Sequence, residues 1–138
     1  MSRLRNLGAV LFGTLIGSAL NMILIVVNSR LFDAPDDLDF NDQPALIAWL
    51  ETLPPTAYVL PLVAHLVQAA VGGWIAARLG ASSPRLLAAI VAGLTLVGGV
   101  VNLLSLPAPW WMWLEVPLYG LIAWGVGSLE ARRRERAG

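Results

Sequence analysis

Residues 6–29 read NLGAVLFGTLIGSALNMILIVVNS and contain no Arg, Lys, Asp or Glu. Two further stretches, 52–77 and 86–114, share this property. Each stretch exceeds the roughly 20 apolar residues that a helix needs to cross about 30 Å of hydrocarbon. The distribution of charge therefore predicts three membrane-spanning helices directly.

A fourth span is predicted near the end of the chain. The charge-free stretch 116–129 has 14 residues and is too short to cross alone. It reaches spanning length when the helix starts near Trp110 and includes Glu115. The predicted spans cover about 7–29, 56–79, 84–106 and 110–130, with a loop at 30–55 and a basic tail at 131–138.

The composition indicates a membrane protein with one domain, residues 1–138. Hydrophobic residues make up 57% of the chain and charged residues 13%, and the mean hydropathy is +0.71. Soluble domains average about 25% charged residues. The chain has no cysteine, which excludes disulfides, thiol catalysis and thiolate metal sites. We expect an all-α bundle of four transmembrane helices.

The placement of arginine predicts the orientation of this bundle. In a four-span topology, eight of the nine arginines fall on one side, which the positive-inside rule makes cytoplasmic. The loop 30–55 on the other side carries six acidic residues and only Arg30. We expect a multi-pass protein of the bacterial inner (plasma) membrane with both termini in the cytoplasm. The arginines of the cytoplasmic side are Arg3, Arg5, Arg78, Arg85, Arg132, Arg133, Arg134 and Arg136.

An eight-residue phrase occurs twice in the apolar stretches. Residues 14–21 read TLIGSALN and residues 95–102 read TLVGGVVN, with four identical positions. The spans that contain them run in the same direction. The repeat therefore predicts two parallel helical hairpins related by a pseudo-two-fold axis along the membrane normal.

Polar and small residues recur at helical spacing inside the spans. Because lipid tails cannot form hydrogen bonds, these stripes should face one another. At about 1.5 Å per residue, Asn21 and His65 lie at a similar depth in the outer half of the bundle. The stripes are Thr14, Gly17, Asn21 and Asn28 in the first span, Pro61, His65, Gln68 and Gly72 in the second, and Thr95, Gly98, Asn102 and Ser105 in the third. The predicted ligand-binding residues are Asn21, His65, Gln68, Asn102, Glu115 and Tyr119.

These residues also have structural interpretations. Asn beside Gly commonly stabilises contacts between membrane helices, because Gly allows close approach and Asn forms a hydrogen bond across it. An Asn21–Asn102 hydrogen bond would therefore explain the repeat without any function. His65 is either a neutral side chain satisfied by Asn21 or Gln68, or a functional group, because ionisable residues inside a membrane are costly. Glu115 lies either in the headgroup zone or turned inward towards His65.

The acidic loop contains one amphipathic segment. Residues 44–53, PALIAWLETL, predict a short interfacial helix capped by Asp42, lying on the outer leaflet or over the mouth of the bundle. The acidic residues resemble the start of a calcium loop, but Asp42 stands where Gly is needed and Ala48 where Glu is needed. We therefore predict no metal site and no cofactor.

Three functions fit this chain, which carries no catalytic motif. The first is binding or transport of a small or amphipathic ligand in an outward-opening polar pocket, with a homodimer or a partner subunit expected. The second is a non-enzymatic accessory subunit that docks a partner. The third is a membrane-embedded enzyme in which His65 and Glu115 form an acid–base pair acting on a lipid-soluble substrate. The lipid bilayer is the expected surrounding, and no nucleic-acid partner is predicted.

Overall fold

The computed structural model describes all 138 residues, and every regular element in it is helical. Four segments are long and apolar enough to cross a membrane, which confirms the predicted all-α class with four such helices. The elements are α1 (Ser2–Leu31), α2 (Gln43–Leu50), a 3₁₀ turn (Pro55–Tyr58) leading into α3 (Val59–Leu79), α4 (Pro84–Ser105), and a second 3₁₀ turn (Trp110–Leu114) leading into α5 (Glu115–Ala137).

Prolines sit where these helices can accept them. Pro84 is the first residue of α4, and Pro61 and Pro117 are each the third residue of their helices. In the first turn of a helix the backbone N–H has no intrahelical acceptor, so proline loses no hydrogen bond there. The 3₁₀ turns that precede α3 and α5 lengthen these two segments to 25 and 28 residues.

Helix α3 lies at the centre of the bundle. It packs on α1, α4 and α5, whereas α1 packs mainly on α3 and only slightly on α4. A two-fold relation between the hairpins would make α1 pack on α5 as α3 packs on α4. No comparable α1–α5 contact exists, so the helix packing does not confirm the predicted pseudo-symmetry.

Glycines bring α1 and α3 together at backbone distance. A Cβ atom added to Gly72 would lie 2.7 Å from the carbonyl oxygen of Gly13, and one added to Gly13 would overlap the carbonyl oxygen of Gly72. One turn further along, a Cβ on Gly17 would lie 2.6 Å from the carbonyl oxygen of Gln68. Close approach of this kind gives dispersion contacts along the whole interface without large side chains.

The two copies of the repeated phrase do not pack alike. Gly17 is buried against α3, whereas its counterpart Gly98 has no atom within 4 Å of an added Cβ. In the second copy the close contact falls on the next residue, Gly99. The predicted stripe that joins Thr95, Gly98 and Asn102 is therefore not a single packed face.

We call the end of the bundle that carries both termini the terminal end, and the opposite end, which carries residues 32–58, the loop end. At the terminal end, Arg134 donates to the carbonyl oxygens of Ala77, Arg78 and Gly80. These carbonyls belong to the last turn of α3, which has no intrahelical donors left for them. Arg134 thus ties α5 to α3.

Glu130 completes the same contact. Its carboxylate is only 2% exposed and lies 2.6 Å from Arg133, 3.2 Å from Arg134 and 3.5 Å from Arg78. Helix α5 therefore continues through the arginine-rich segment to Ala137, where the sequence predicts a tail. Part of that segment holds the bundle together.

Candidate functional site

The centre of the candidate site is a buried pair of ionisable side chains. His65 Nδ1 on α3 lies 2.8 Å from Glu115 Oε2 at the start of α5. Glu115 is fully buried and His65 is 9% exposed. Of the two orientations that the sequence leaves open for Glu115, the structure shows the inward one. Each group satisfies part of the other's hydrogen-bonding capacity inside the bundle, where lipid cannot do so.

The turn before α5 explains why Glu115 points inward. Pro109 is extended and is followed by the 3₁₀ turn Trp110–Leu114, whose only buried residue is Met112. Met112 packs in one apolar cluster with Ala57 and Tyr58, the residues of the equivalent turn before α3. The two turns thus hold the starts of α3 and α5 side by side at the loop end.

The second oxygen of Glu115 lies in a small space shared with Tyr119 and Gly99. Glu115 Oε1 and the Tyr119 hydroxyl are both buried, and neither has a hydrogen-bond partner outside this space. A Cβ added to Gly99 would lie 2.5 Å from Glu115 Oε1 and 2.7 Å from the Tyr119 hydroxyl oxygen. The absence of a side chain at Gly99 is therefore what gives these two groups room.

We expect Gly99→Ala to disturb the pair and Gly98→Ala to leave it intact. The new methyl group at position 99 must displace Glu115 or Tyr119, and overpacking of this kind costs about 1–3 kcal/mol. At position 98 the methyl group enters open space, and replacing a helical Gly by Ala stabilises a helix by about 0.5–1 kcal/mol. Free energies of unfolding of the two variants in mixed micelles measure the difference. Equal values would show that Gly99 does not constrain the site.

A cavity of about 280 Å³ opens beside His65 at the loop end. Most of its wall is apolar, and its polar side chains include Asn21, Asn28 and Asn102. Its volume lies just below the range of about 300–1,000 Å³ that is typical of small-molecule sites. The structure therefore brings Asn21, His65 and Asn102 of the predicted set to one cavity, with Glu115 directly behind His65.

Asparagine oxygens in this wall lack partners. The Oδ1 atoms of Asn21 and Asn28 are buried and form no hydrogen bond, and Asn28 is only 5% exposed. The alternative prediction of an Asn21–Asn102 hydrogen bond is wrong, since no such bond forms. An unpaired buried amide costs roughly 1–3 kcal/mol. Polar groups of this kind are consistent with a site that a ligand completes.

The acidic loop folds over the cavity. Leu46, Trp49 and Leu50 of α2 line its outer wall, and the Tyr58 hydroxyl donates to the carbonyl oxygen of Leu50 at 3.0 Å. The predicted helix therefore exists, and the Ala45 N–H donates to Asp42 Oδ1 as expected of a cap. Of its two predicted positions, the one over the mouth of the bundle is observed.

Besides Glu115, two residues of the predicted set lie outside the cavity wall. Gln68 donates to the Ser18 hydroxyl at 3.2 Å and belongs to the α1–α3 interface. Tyr119 lies behind Glu115, on the side of α4 and α5. Asn28 and Trp49 line the cavity but are missing from the predicted set. Asn28 lies seven residues after Asn21 on the same face of α1, so the polar stripe in the sequence already indicated that Asn28 lies near the site.

Fold and site together define a class: a small all-helical membrane protein with a buried His–Glu pair beside a mainly apolar cavity. Comparisons with protein-family models, curated proteins and solved structures found no match to this chain.

Proposed function

We propose that this protein binds a small amphipathic ligand in the loop-end cavity. The observation that carries the proposal is the combination, in one cavity, of a mainly apolar wall with Asn21, Asn28, Asn102 and His65. Ligand sites typically pair a hydrophobic lining with a few convergent polar groups that orient the bound molecule. An amphiphile would place its polar head at the asparagines and His65 and its apolar part against α2.

The membrane topology gives the direction from which such a ligand comes. Eight of the nine arginines lie at the terminal end, and six of the nine acidic residues lie in the loop 30–55. By the positive-inside rule, we expect the loop end to lie outside the cell. The cavity would then open to the outer surface or the outer leaflet of the plasma membrane. From the repeated phrase we also propose that the two helical pairs arose by duplication of one hairpin. Transport of the ligand, as opposed to binding alone, would require a second conformation in which the cavity opens inward.

The absence of cysteine allows a direct test in lipid nanodiscs. We expect Leu103→Cys, at a cavity-lining position, to react with N-ethylmaleimide and to be protected by an eight-carbon amphiphile. Octylamine, 1-octanol and octyl sulfate serve as cationic, neutral and anionic probes. A probe at ten times its Kd should slow the reaction about tenfold, by mass action.

The matched control is Leu104→Cys, the next residue, which is 73% exposed on the outside of the bundle. Its labelling rate should not respond to any probe beyond the general effect of the amphiphile on the bilayer. Saturable protection at position 103 alone supports the proposal. Equal effects at both positions, or none at position 103 with all three probes, would show that the cavity does not bind amphiphiles.

The His65–Glu115 hydrogen bond favours one alternative, a membrane-embedded enzyme acting on a lipid-soluble substrate. With Nδ1 held by Glu115 at 2.8 Å, the other ring nitrogen of His65 is the one available to exchange a proton with a bound molecule. A carboxylate behind the ring fixes the tautomer and stabilises the protonated imidazole. The enzyme would differ from the binding protein in releasing a chemically altered ligand.

A further inference from the structure

We infer that the cavity selects an amphiphile with a cationic head, such as a primary alkylammonium, and that the His65–Glu115 pair supplies the counter-charge. This inference rests on the proposed function and specifies the ligand. Three observations support it: the charges that reach the cavity, the unpartnered asparagine oxygens in its wall, and the charges at its mouth.

The cavity wall contains no arginine and no acidic carboxyl group, and His65 is its only basic side chain. Behind His65 stands Glu115, fully buried and with no arginine in contact. When His65 is neutral and Glu115 ionised, the pair has a net charge of −1 inside a low-dielectric bundle. A cation in the cavity stabilises that state, whereas an anion opposes it.

The polar atoms in the cavity wall that lack hydrogen-bond partners also favour a cation over an anion. The Oδ1 atoms of Asn21 and Asn28, two cavity-lining residues, are hydrogen-bond acceptors that have no donor. Asn28 is a cavity-lining residue that is 95% buried, so its amide is available to few molecules other than one inside the cavity. An ammonium group has three donors and no acceptor, so it can satisfy both asparagine oxygens at once.

The mouth of the cavity is also negative. Residues 30–55 carry six carboxylates against Arg30, and Arg30 is already paired with Asp36 at 2.9 Å. Clusters of one sign at a mouth concentrate ions of the opposite sign near it and raise their association rates. These loop charges are exposed and screened by salt, so they attract cations in general. The buried charge of Glu115 is screened far less and acts only on a molecule already in the cavity.

The three probes of the Leu103→Cys protection assay test the inference. We expect octylamine to protect at a concentration about tenfold lower than 1-octanol, and octyl sulfate to be the weakest. Equal protection by octylamine and 1-octanol would overturn the cationic preference and leave the proposed function standing. Protection by none of the three would overturn both.

Two further measurements locate the counter-charge. Glu115→Gln keeps the shape of the side chain and removes its charge, and should reduce the octylamine preference to below about threefold while 1-octanol binding is retained. The matched control Glu51→Gln removes the same charge from the exposed loop and should leave the preference unchanged.

The second measurement uses the native residues, so it remains decisive if Glu115→Gln does not fold. Raising the salt from about 0.05 M to about 0.5 M shortens the screening length from roughly 14 Å to roughly 4 Å. We expect the equilibrium preference for octylamine to persist. Its loss would assign the selectivity to the acidic loop and overturn the role of the pair.

Discussion

Replacing His65 by leucine should destabilise this protein by about 3 kcal/mol or more, because it removes the hydrogen bond that the buried Glu115 carboxyl group receives from His65. The substitution leaves Glu115 fully buried and removes the partner of Oε2, while Oε1 has no partner outside the space it shares with the Tyr119 hydroxyl. No arginine is close enough to replace the imidazole, since the arginine pairs of the bundle lie at Glu130 and Asp36. Free energies of unfolding in mixed micelles give the size of the effect.

The double variant His65→Leu/Glu115→Gln makes this result specific. An amide needs no counter-charge, so the second substitution should recover part of the stability that the first removes. The sign of the coupling is therefore fixed in advance: Glu115→Gln destabilises the native background and stabilises the His65→Leu background. Additive losses from the two substitutions would mean that the 2.8 Å contact contributes no interaction energy. Val97→Ala, on the exposed side of α4, controls for truncation of an apolar side chain.

Charge and hydropathy predict the helices of this chain well, because both depend on local sequence. The ends of α4 differ from the predicted span by one residue at most, and the short helix α2 begins directly after its predicted cap, Asp42. The extent of α5 is the main exception. Its arginine-rich end is polar, which is typical of a tail, but Arg134 donates to backbone carbonyls at the end of α3, which lie more than 50 residues away in the sequence.

The relation between helices was harder to predict than the helices themselves. The repeated phrase gives Gly17 and Gly98 the same sequence environment, yet only Gly17 packs against another helix. A stripe of small residues allows another helix to approach closely. Which helix packs there depends on the arrangement of the whole bundle. For the same reason, sequence placed His65 and Asn21 at one depth but could not separate cavity-lining residues from Gln68, which bonds to Ser18.

The second large effect is expected at the α1–α3 contact. Gly13→Leu should separate the two helices, because a Cβ at this position already overlaps the carbonyl oxygen of Gly72. Backbone atoms of α3 cannot move aside as a flexible side chain can, so α1 itself must shift. We expect a loss of at least about 1–3 kcal/mol, the range for overpacking in a tight interface.

The same helix offers a matched control for this substitution. Gly8 lies five residues earlier on α1 and has no atom within 4 Å of an added Cβ. Gly8→Leu therefore tests the effect of a leucine in α1 without the collision, and it should be neutral or slightly stabilising, since leucine favours helix over glycine by several tenths of a kcal/mol. Gly72→Leu should reproduce the Gly13→Leu result from the other side of the contact. Equal stabilities for the Gly8 and Gly13 variants would contradict the backbone contact.

Loss of the α1–α3 contact should also remove ligand binding, and this links the packing to the proposed function. Helix α1 contributes Asn21 and Asn28 to the cavity but has little contact with any helix other than α3. A displaced α1 therefore takes both asparagines away from His65, whereas the His65–Glu115 pair lies between α3 and α5 and keeps its geometry. Probe protection of Leu103→Cys should be lost in the Gly13→Leu background and retained in the Gly8→Leu background. Retention in both would mean that α1 contributes nothing to binding and that the ligand contacts come from α3, α4 and α2 alone.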